Sequence, residues 1–229
     1  MRFLNYLDEK VVRSNISFVD IDETLFYTFA KVIVIDTITG KKIRKLSNVE
    51  YNNYKIKDGE EFNFDQFSDA KFFKETSKPI IPMINRLKKM IKNIKKYSYN
   101  SKIILLTARA NFDNKNLFLQ SFKDVGIDTD FKNFYIERSG NLKTGTTEER
   151  KEKIIMKYLK TGNFQTVRMF DDYQGNLSKF MKIADKIDDK TLEKVKIKFE
   201  VPDNKWTMQF IALEALENGS LKKYGEKTI

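Results

Sequence analysis

The sequence contains no cysteine and no histidine. Their absence excludes Ser-His-Asp and Cys-His catalysis, zinc sites built from Cys and His, and haem ligation by His. Disulfides are excluded too, so cysteine usage says nothing about the redox compartment. No stretch approaches the roughly 20 apolar residues of a membrane-spanning helix. Residues 1–13 carry charges at Arg2, Asp8, Glu9, Lys10 and Arg13 and contain no apolar run of signal-peptide length. The expectation is a soluble, cytoplasmic protein with no membrane association. Internal repeats and low-complexity linkers are also lacking. Any chemistry must come from carboxylates, hydroxyls, Lys and Arg, with a hard, oxygen-seeking cation if a metal takes part.

At 229 residues the chain suits one domain, with room for an insertion. Its hydrophobic content of 41% is enough for a packed core rather than wholesale disorder. Lys and Arg number 43 against 32 Asp and Glu, a net charge of +11 that suits a polyanionic partner. A Lys-, Asn- and Ile-rich composition is also what AT-rich coding produces, as in many phage, and lysines on solvated helix faces account for much of the excess.

Apolar runs at 16–19, 103–106, 134–136 and 167–170 read as strands, and the alternating VKIKFEV at 195–201 reads as an edge or half-buried strand. Helical patterns fill 82–96, 115–125, 147–160 and about 176–185. A last one spans about 208–217 and stops at Asn218-Gly219. Thr146 followed by Glu149 makes a capping box for the third helix. Strands alternating with helices indicate an α/β fold, a Rossmann-like three-layer sandwich around a parallel sheet. Residues 26–80 break the alternation. Segments 31–35 and 41–46 flank Thr39-Gly40 as a β-hairpin, and a polar stretch dotted with Phe62, Phe64, Phe67, Phe72 and Phe73 follows. This region reads as a cap-like insertion after the first strand of a single domain.

Open α/β sheets bind ligands beyond the carboxyl ends of their strands. Behind the first apolar run come Asp20-Ile21-Asp22-Glu23-Thr24; behind the second, Thr107-Ala108-Arg109; behind the fourth, Asp171-Asp172. Three strands thus deliver two acid pairs, a hydroxyl and an arginine to one edge. Asp20 and Asp22, two residues apart in extended chain, project to the same side. Clustered carboxylates repel one another, and a bound Mg²⁺ would resolve the repulsion. Asp20 and Asp171 would hold it, with Asp172 as a third candidate and the backbone carbonyl of Asp22 as a further ligand.

Asp20-Ile21-Asp22-Glu23-Thr24, Thr107, a downstream lysine and Asp171-Asp172 resemble, in order and spacing, the four motifs of the haloacid-dehalogenase-like phosphatases. The resemblance implies that Asp20 attacks phosphorus and that Asp22 protonates the leaving oxygen and then activates water. It further implies that Thr107 holds a phosphoryl oxygen, that a lysine neutralises charge, and that Asp171 and Asp172 place Mg²⁺. Lys143, Lys151 and Lys153 all lie in the right region for the lysine. Lys151 is selected because Ile136-Glu137-Arg138 followed by Glu149-Arg150-Lys151-Glu152 is similar to the 3′-phosphatase domain of phage polynucleotide kinases. Asn176 fits that pattern as well. Thr24, Arg109 and Arg150 are expected on the substrate side, Arg109 against a second phosphate or a base.

Two features depart from the family. Many members have Gly where this chain has Glu23, and the Asp-x-Asp-Glu-Thr-Leu form is also similar to carboxy-terminal-domain protein phosphatases. Gly140 to Thr147 has the outline of a phosphate-binding loop, but Thr146 stands where Lys is required, so it reads as a loop. The expected activity is hydrolysis of a phosphomonoester, on a nucleic-acid 3′ end or a nucleotide. A phosphoprotein or small-metabolite phosphatase, or a non-catalytic nucleic-acid-binding module, are the alternatives. Lys41, Lys42, Arg44 and Lys45 read as a basic lip over the site, and Lys88, Lys89, Lys92, Lys95 and Lys96 as the wet side of a helix. Oligomeric state is not legible.

Overall fold

The computed structural model describes residues 14–98 and 100–229. The amino-terminal segment read above for a leader lies outside the described residues. Among those described, no helix is long and apolar enough to cross a membrane.

Strand β1 (Asn15–Val19) is buried along almost its whole length, as expected of an apolar run in the middle of a parallel sheet. It pairs in parallel with β7 (Lys102–Thr107) on one side and β9 (Thr166–Asp171) on the other. Parallel strands β8 (Phe134–Arg138) and β10 (Gln209–Ala215) extend the sheet outward, and antiparallel β11 (Leu221–Thr228) closes one edge. The order is β11-β10-β9-β1-β7-β8.

Helices cover both faces. On one, α4 (Ile81–Tyr97) and α5 (Lys115–Asp124) bury Leu87, Phe118 and Phe122 in a cluster with Ile103 and Leu105. On the other, α6 (Thr147–Leu159), α7 (Gln174–Met181) and α8 (Asp189–Phe199) bury Ile155, Leu177 and Val195 with Phe18 and Val167. The fold is mixed α/β with a six-stranded, mostly parallel central sheet, compatible with a Rossmann-like arrangement. From β1 the chain winds outward through β7 and β8, then returns to lay β9 on the opposite flank of β1. The boundary between β1 and β9 is therefore a topological switch point, the place at which open α/β sheets bind ligands beyond the strand ends.

Between β1 and α4 the chain leaves the sheet. Short strands β2 (Phe26–Tyr27) and β6 (Lys78–Pro79) pair at the neck of this excursion, reinforced by the Ile80 amide donating to the Leu25 carbonyl. Beyond the neck, β3 (Val32–Asp36) and β4 (Lys42–Leu46) form the hairpin expected from the sequence. Its turn is held by Asp36, whose Oδ1 accepts from the amides of Ile38 and Thr39, and by Gly40 at φ +65. A third strand, β5 (Glu60–Asn63), pairs with β3 and was not legible in the polar stretch that contains it. Helix α1 (Asn48–Asn53) lies before it, and α2 (Asp65–Ser68) and α3 (Ala70–Thr76) lead back to the neck. Phe73 of α3 packs against Phe26, Phe112, Phe118 and Phe122 in the core, Phe62 and Phe67 pack partly buried against Val32, Val34 and Leu46, and Phe64 is exposed.

Two elements differ from the sequence reading, and both lie near the carboxyl end. Residues 195–201 are not a strand; they close helix α8 and the turn after it. Its buried residues, Thr191, Val195 and Phe199, recur every four positions, and the Asp188 carboxylate caps it by accepting from the Thr191 amide. The alternation in VKIKFEV is accidental to this longer helical period. Residues 208–217 are not a helix but β10, whose Phe210 and Ala212 alternate into the core. Ala, Leu and Glu favour helix locally, yet hydrogen bonding to β9 on one side and β11 on the other overrides that preference. Asn218-Gly219 is then a hairpin turn, not a helix stop. Gly219 has φ +76, and a Cβ there would sit 2.7 Å from Ile80, so this turn packs against the neck of the excursion.

Candidate functional site

Asp20 is the first residue past β1. Its amide still donates to the Phe170 carbonyl, so the chain holds its place beside β9 as it leaves the sheet. Asp171 ends β9 directly alongside. Lys151, on the buried face of α6, reaches between them: its Nζ lies 2.7 Å from Asp20 Oδ1 and 2.7 Å from Asp171 Oδ2. The capping box of Thr146 and Glu149 is formed as expected and fixes the start of α6, hence the height at which Lys151 emerges. Lys143 and Lys153 are exposed, so of the three candidate lysines the fold brings Lys151 to the carboxylates.

Asp171 is completely buried. Asn176 Nδ2 donates to both oxygens at 2.9 and 3.1 Å, and the Tyr173 amide donates to Oδ1. Asp172 is half-buried and accepts from Thr24 Oγ1 at 3.4 Å. Thr24, expected on the substrate side, is fully buried and serves Asp172. One oxygen from each of Asp20, Asp171 and Asp172 lies within 4.8 Å of the others. The donors are all carboxylate oxygens, the set that suits Mg²⁺ and other hard divalent cations.

Burial and mutual repulsion govern the electrostatics of the cluster. Burial pushes Asp20 well above the usual carboxylate range; Lys151 opposes this, and the charges of Asp171, Asp172 and Asp22 add to it. Burial, then the charge of Asp171, raises Asp172 to about 7. Burial alone would lower Lys151, but Asp171 and Asp20 hold its pKa above the ordinary lysine value. These directions agree, because one ammonium cannot neutralise three carboxylates.

Asp22 stands apart from that cluster. Its carboxylate faces Arg109, whose Nε donates at 3.0 Å to each oxygen and whose Nη2 donates at 2.6 Å to Oδ1. Burial would raise Asp22, yet the charge and hydrogen bonds of Arg109 outweigh it and hold the carboxyl below its usual range. The Asp22 side chain is thus not grouped with the carboxylates of Asp20, Asp171 and Asp172. Arg109 in turn is 3% exposed. Its Nη1 donates to the Phe67 carbonyl, and its guanidinium carbon lies 4.9, 5.1 and 5.6 Å from the ring centres of Phe67, Phe73 and Phe112. An arginine expected to meet a phosphate or a base instead ties Asp22 to the α2–α3 stretch. Nothing in the local sequence announces this cage, because its walls come from three separate segments.

Thr107 ends β7 with its hydroxyl 3.5 Å from Asp22 Oδ2, and this hydroxyl also accepts from the Arg109 amide. Buried Ser139, which the sequence did not mark, donates to the Thr107 carbonyl. The following Gly140 presses on the loop after β7; a Cβ there would meet the Ala108 carbonyl oxygen at 2.4 Å. The loop with the outline of a phosphate cradle is therefore a buttress for Thr107. Arg150 donates to the Leu142 carbonyl and to Thr147 Oγ1, spanning that same loop rather than reaching the carboxylates.

Glu23 adopts φ +57, the left-handed region that a Gly would occupy more easily. Its carboxylate accepts from the amide and hydroxyl of Thr28, and its own amide donates to the Phe26 carbonyl. The side chain that departs from the family pattern thus clamps the turn leading from Asp22 into β2. No protein-family model matches the chain, and neither a curated protein nor a solved structure matches it.

Proposed function

We propose that this chain is a Mg²⁺-dependent phosphomonoester hydrolase of the haloacid-dehalogenase-like type, acting through an aspartyl-phosphate on Asp20. The observation that carries the proposal is the meeting of Asp20, Asp171 and Asp172 at the switch point, with Lys151 bridging the first two. Bound there by Asp20, Asp171 and Asp172, Mg²⁺ would supply electrophilic neutralisation of the phosphoryl oxygens.

The residues divide the remaining work. An oxygen of Asp20 attacks phosphorus as the ester P–O bond breaks, and the leaving oxygen takes a proton from Asp22. In the second step Asp22 accepts a proton from water as that water's oxygen attacks phosphorus, which frees Asp20 and inorganic phosphate. Arg109 favours the ionised form of Asp22, so it favours this second role and opposes the first, for which Asp22 must take up a proton from solvent. Thr107, set beside Asp22, donates its hydroxyl to a phosphoryl oxygen. Lys151 keeps Asp20 in place and offsets the charge that gathers there. The net charge of +11 favours a nucleic-acid 3′ end or a nucleotide as substrate.

The test is phosphate release from a 3′-phosphorylated oligonucleotide, from mononucleotides, from a phosphopeptide and from a chromogenic ester, with Mg²⁺ and with EDTA. Turnover is expected with Mg²⁺ and lost in EDTA, and Asp20→Asn is expected to abolish it while leaving the circular dichroism spectrum intact. Equal turnover in EDTA overturns the metal role, and appreciable activity in Asp20→Asn moves the nucleophile elsewhere. Release from mononucleotides alone removes the polymer from the proposal.

A further inference from the structure

The chain carries no acidic residue between Glu75 and Asp113, and helix α4 lies in this interval. Lys88, Lys92, Lys95 and Lys96 recur on it at i, i+4, i+7 and i+8, which places them on one stripe of the helix. The stripe lines an open groove of about 480 Å³ whose far wall is Gly126 and Asp128, from the loop after α5. Asp128 pairs with Lys95. Among the described residues, no carboxylate forms an ion pair with Lys88, Lys92 or Lys96. Aromatic rings accompany the cations: Lys95 Nζ lies 5.4 Å from the centre of Phe131, and Lys96 Nζ lies 4.8 Å from that of Tyr97, which is 63% exposed.

Resting on the phosphatase reading, we infer that this groove is a second contact for a polynucleotide substrate, gripping its phosphodiester backbone away from the reacting phosphate. As the crossover between parallel strands β1 and β7, α4 starts at the edge of the sheet that holds the site and ends at the opposite edge. Its 17 residues span about 25 Å, the axial length of roughly seven phosphates of one strand. Unpaired lysines beside an exposed tyrosine suit a phosphate backbone with a base stacked at its end. An anionic membrane fits less well, because Ile91, the aliphatic side chain that lines the groove beside these lysines, is only 5% exposed and lies too deep to insert.

The experiment is fluorescence polarisation of a labelled single-stranded oligonucleotide of about 12 nucleotides with a 3′-hydroxyl, so that binding is read without turnover. Wild-type protein is compared with K88E/K92E/K96E and with the neutral K88Q/K92Q/K96Q across a salt series. Loss of three phosphate contacts is expected to flatten the slope of log affinity against log salt by about 2 and to weaken binding at least ~10-fold. Turnover of a chromogenic phosphate ester and the melting temperature should not change. Wild-type affinity and slope in both variants overturn the inference, as does equal loss of binding to a mononucleotide. Transfer of the charge dependence to phosphatidylserine vesicles, with none on the oligonucleotide, overturns it in favour of a membrane. The two readings fail separately: a chain without phosphatase activity whose oligonucleotide binding still depends on these lysines loses the enzyme and keeps the groove.

Discussion

At the scale of single residues, Lys151 faces the severest electrostatic demand. It is 2% exposed and shares one positive charge between two buried carboxylates. Removing one partner of such a group leaves uncompensated buried charge, which costs far more than the intact group contributes. We expect Lys151→Met to lose about 3–5 kcal/mol of stability in EDTA, read by urea unfolding, and to recover part of it in Mg²⁺. A variant as stable as wild type in EDTA would show that Lys151 does not neutralise the cluster. Asp172 has the opposite character. Its folded pKa of about 7 exceeds the ordinary 3.8, so between those values the folded state holds a proton that the unfolded chain has released. Its contribution is therefore present at low pH and declines as pH rises from about 4 to about 7. In metal-free protein, wild-type stability should fall relative to Asp172→Asn across that window. A constant difference between the two would contradict the shift.

At the scale of elements, α6 shows how a helix start places a functional group. The Thr146 hydroxyl accepts from the Glu149 amide and the Glu149 carboxylate accepts from the Thr146 amide, which satisfies two groups that would otherwise lack partners. Thr146→Ala should cost about 1 kcal/mol, a fall in melting temperature of roughly 2–4 °C for a chain of this size. Because the cap sets the first turns of α6, phosphate release should fall with it. A variant with wild-type melting and wild-type turnover would show that buried Ile154, Ile155 and Leu159 hold α6 without help from its cap. Helix α8 and strand β10 carry the complementary lesson. In each, a short local pattern pointed one way and the element's neighbours required the other. Seven residues of alternation cannot compete with buried positions every four residues. Good helix formers cannot resist a place between two strands.

At the scale of the whole molecule, the site exists because the chain reverses its winding beside β1. That reversal sets two strands with acidic ends next to each other although about 150 residues separate them in sequence. The excursion between β1 and α4 is joined to the same place twice, at the β2–β6 neck and through the Arg109 contact with Phe67. Divalent metal should therefore stabilise the whole fold by mass action. At 100 times its dissociation constant, Mg²⁺ should add about 2.7 kcal/mol, a rise in melting temperature of roughly 5–10 °C that EDTA reverses. Asp171→Asn should remove most of that rise. An equal rise in the variant would place the ion elsewhere.

The sequence by itself determined the alternation of strands and helices and the acidic residues at the ends of β1 and β9. It also determined the hairpin in the excursion and the cap of α6, because each is written in a few adjacent residues whose backbone preferences and side-chain periods act locally. It narrowed the lysine to three and, by resemblance, selected Lys151. Only the tertiary structure decided that Lys151 is the one within reach, that Thr24 serves Asp172, and that Arg109 is enclosed by phenylalanines against Asp22. The third strand of the excursion, the helical state of residues 189–199 and the extended state of β10 were decided there as well. All of these depend on burial, charge and hydrogen bonding between segments distant in the chain, and such energies come into being only once those segments are packed together.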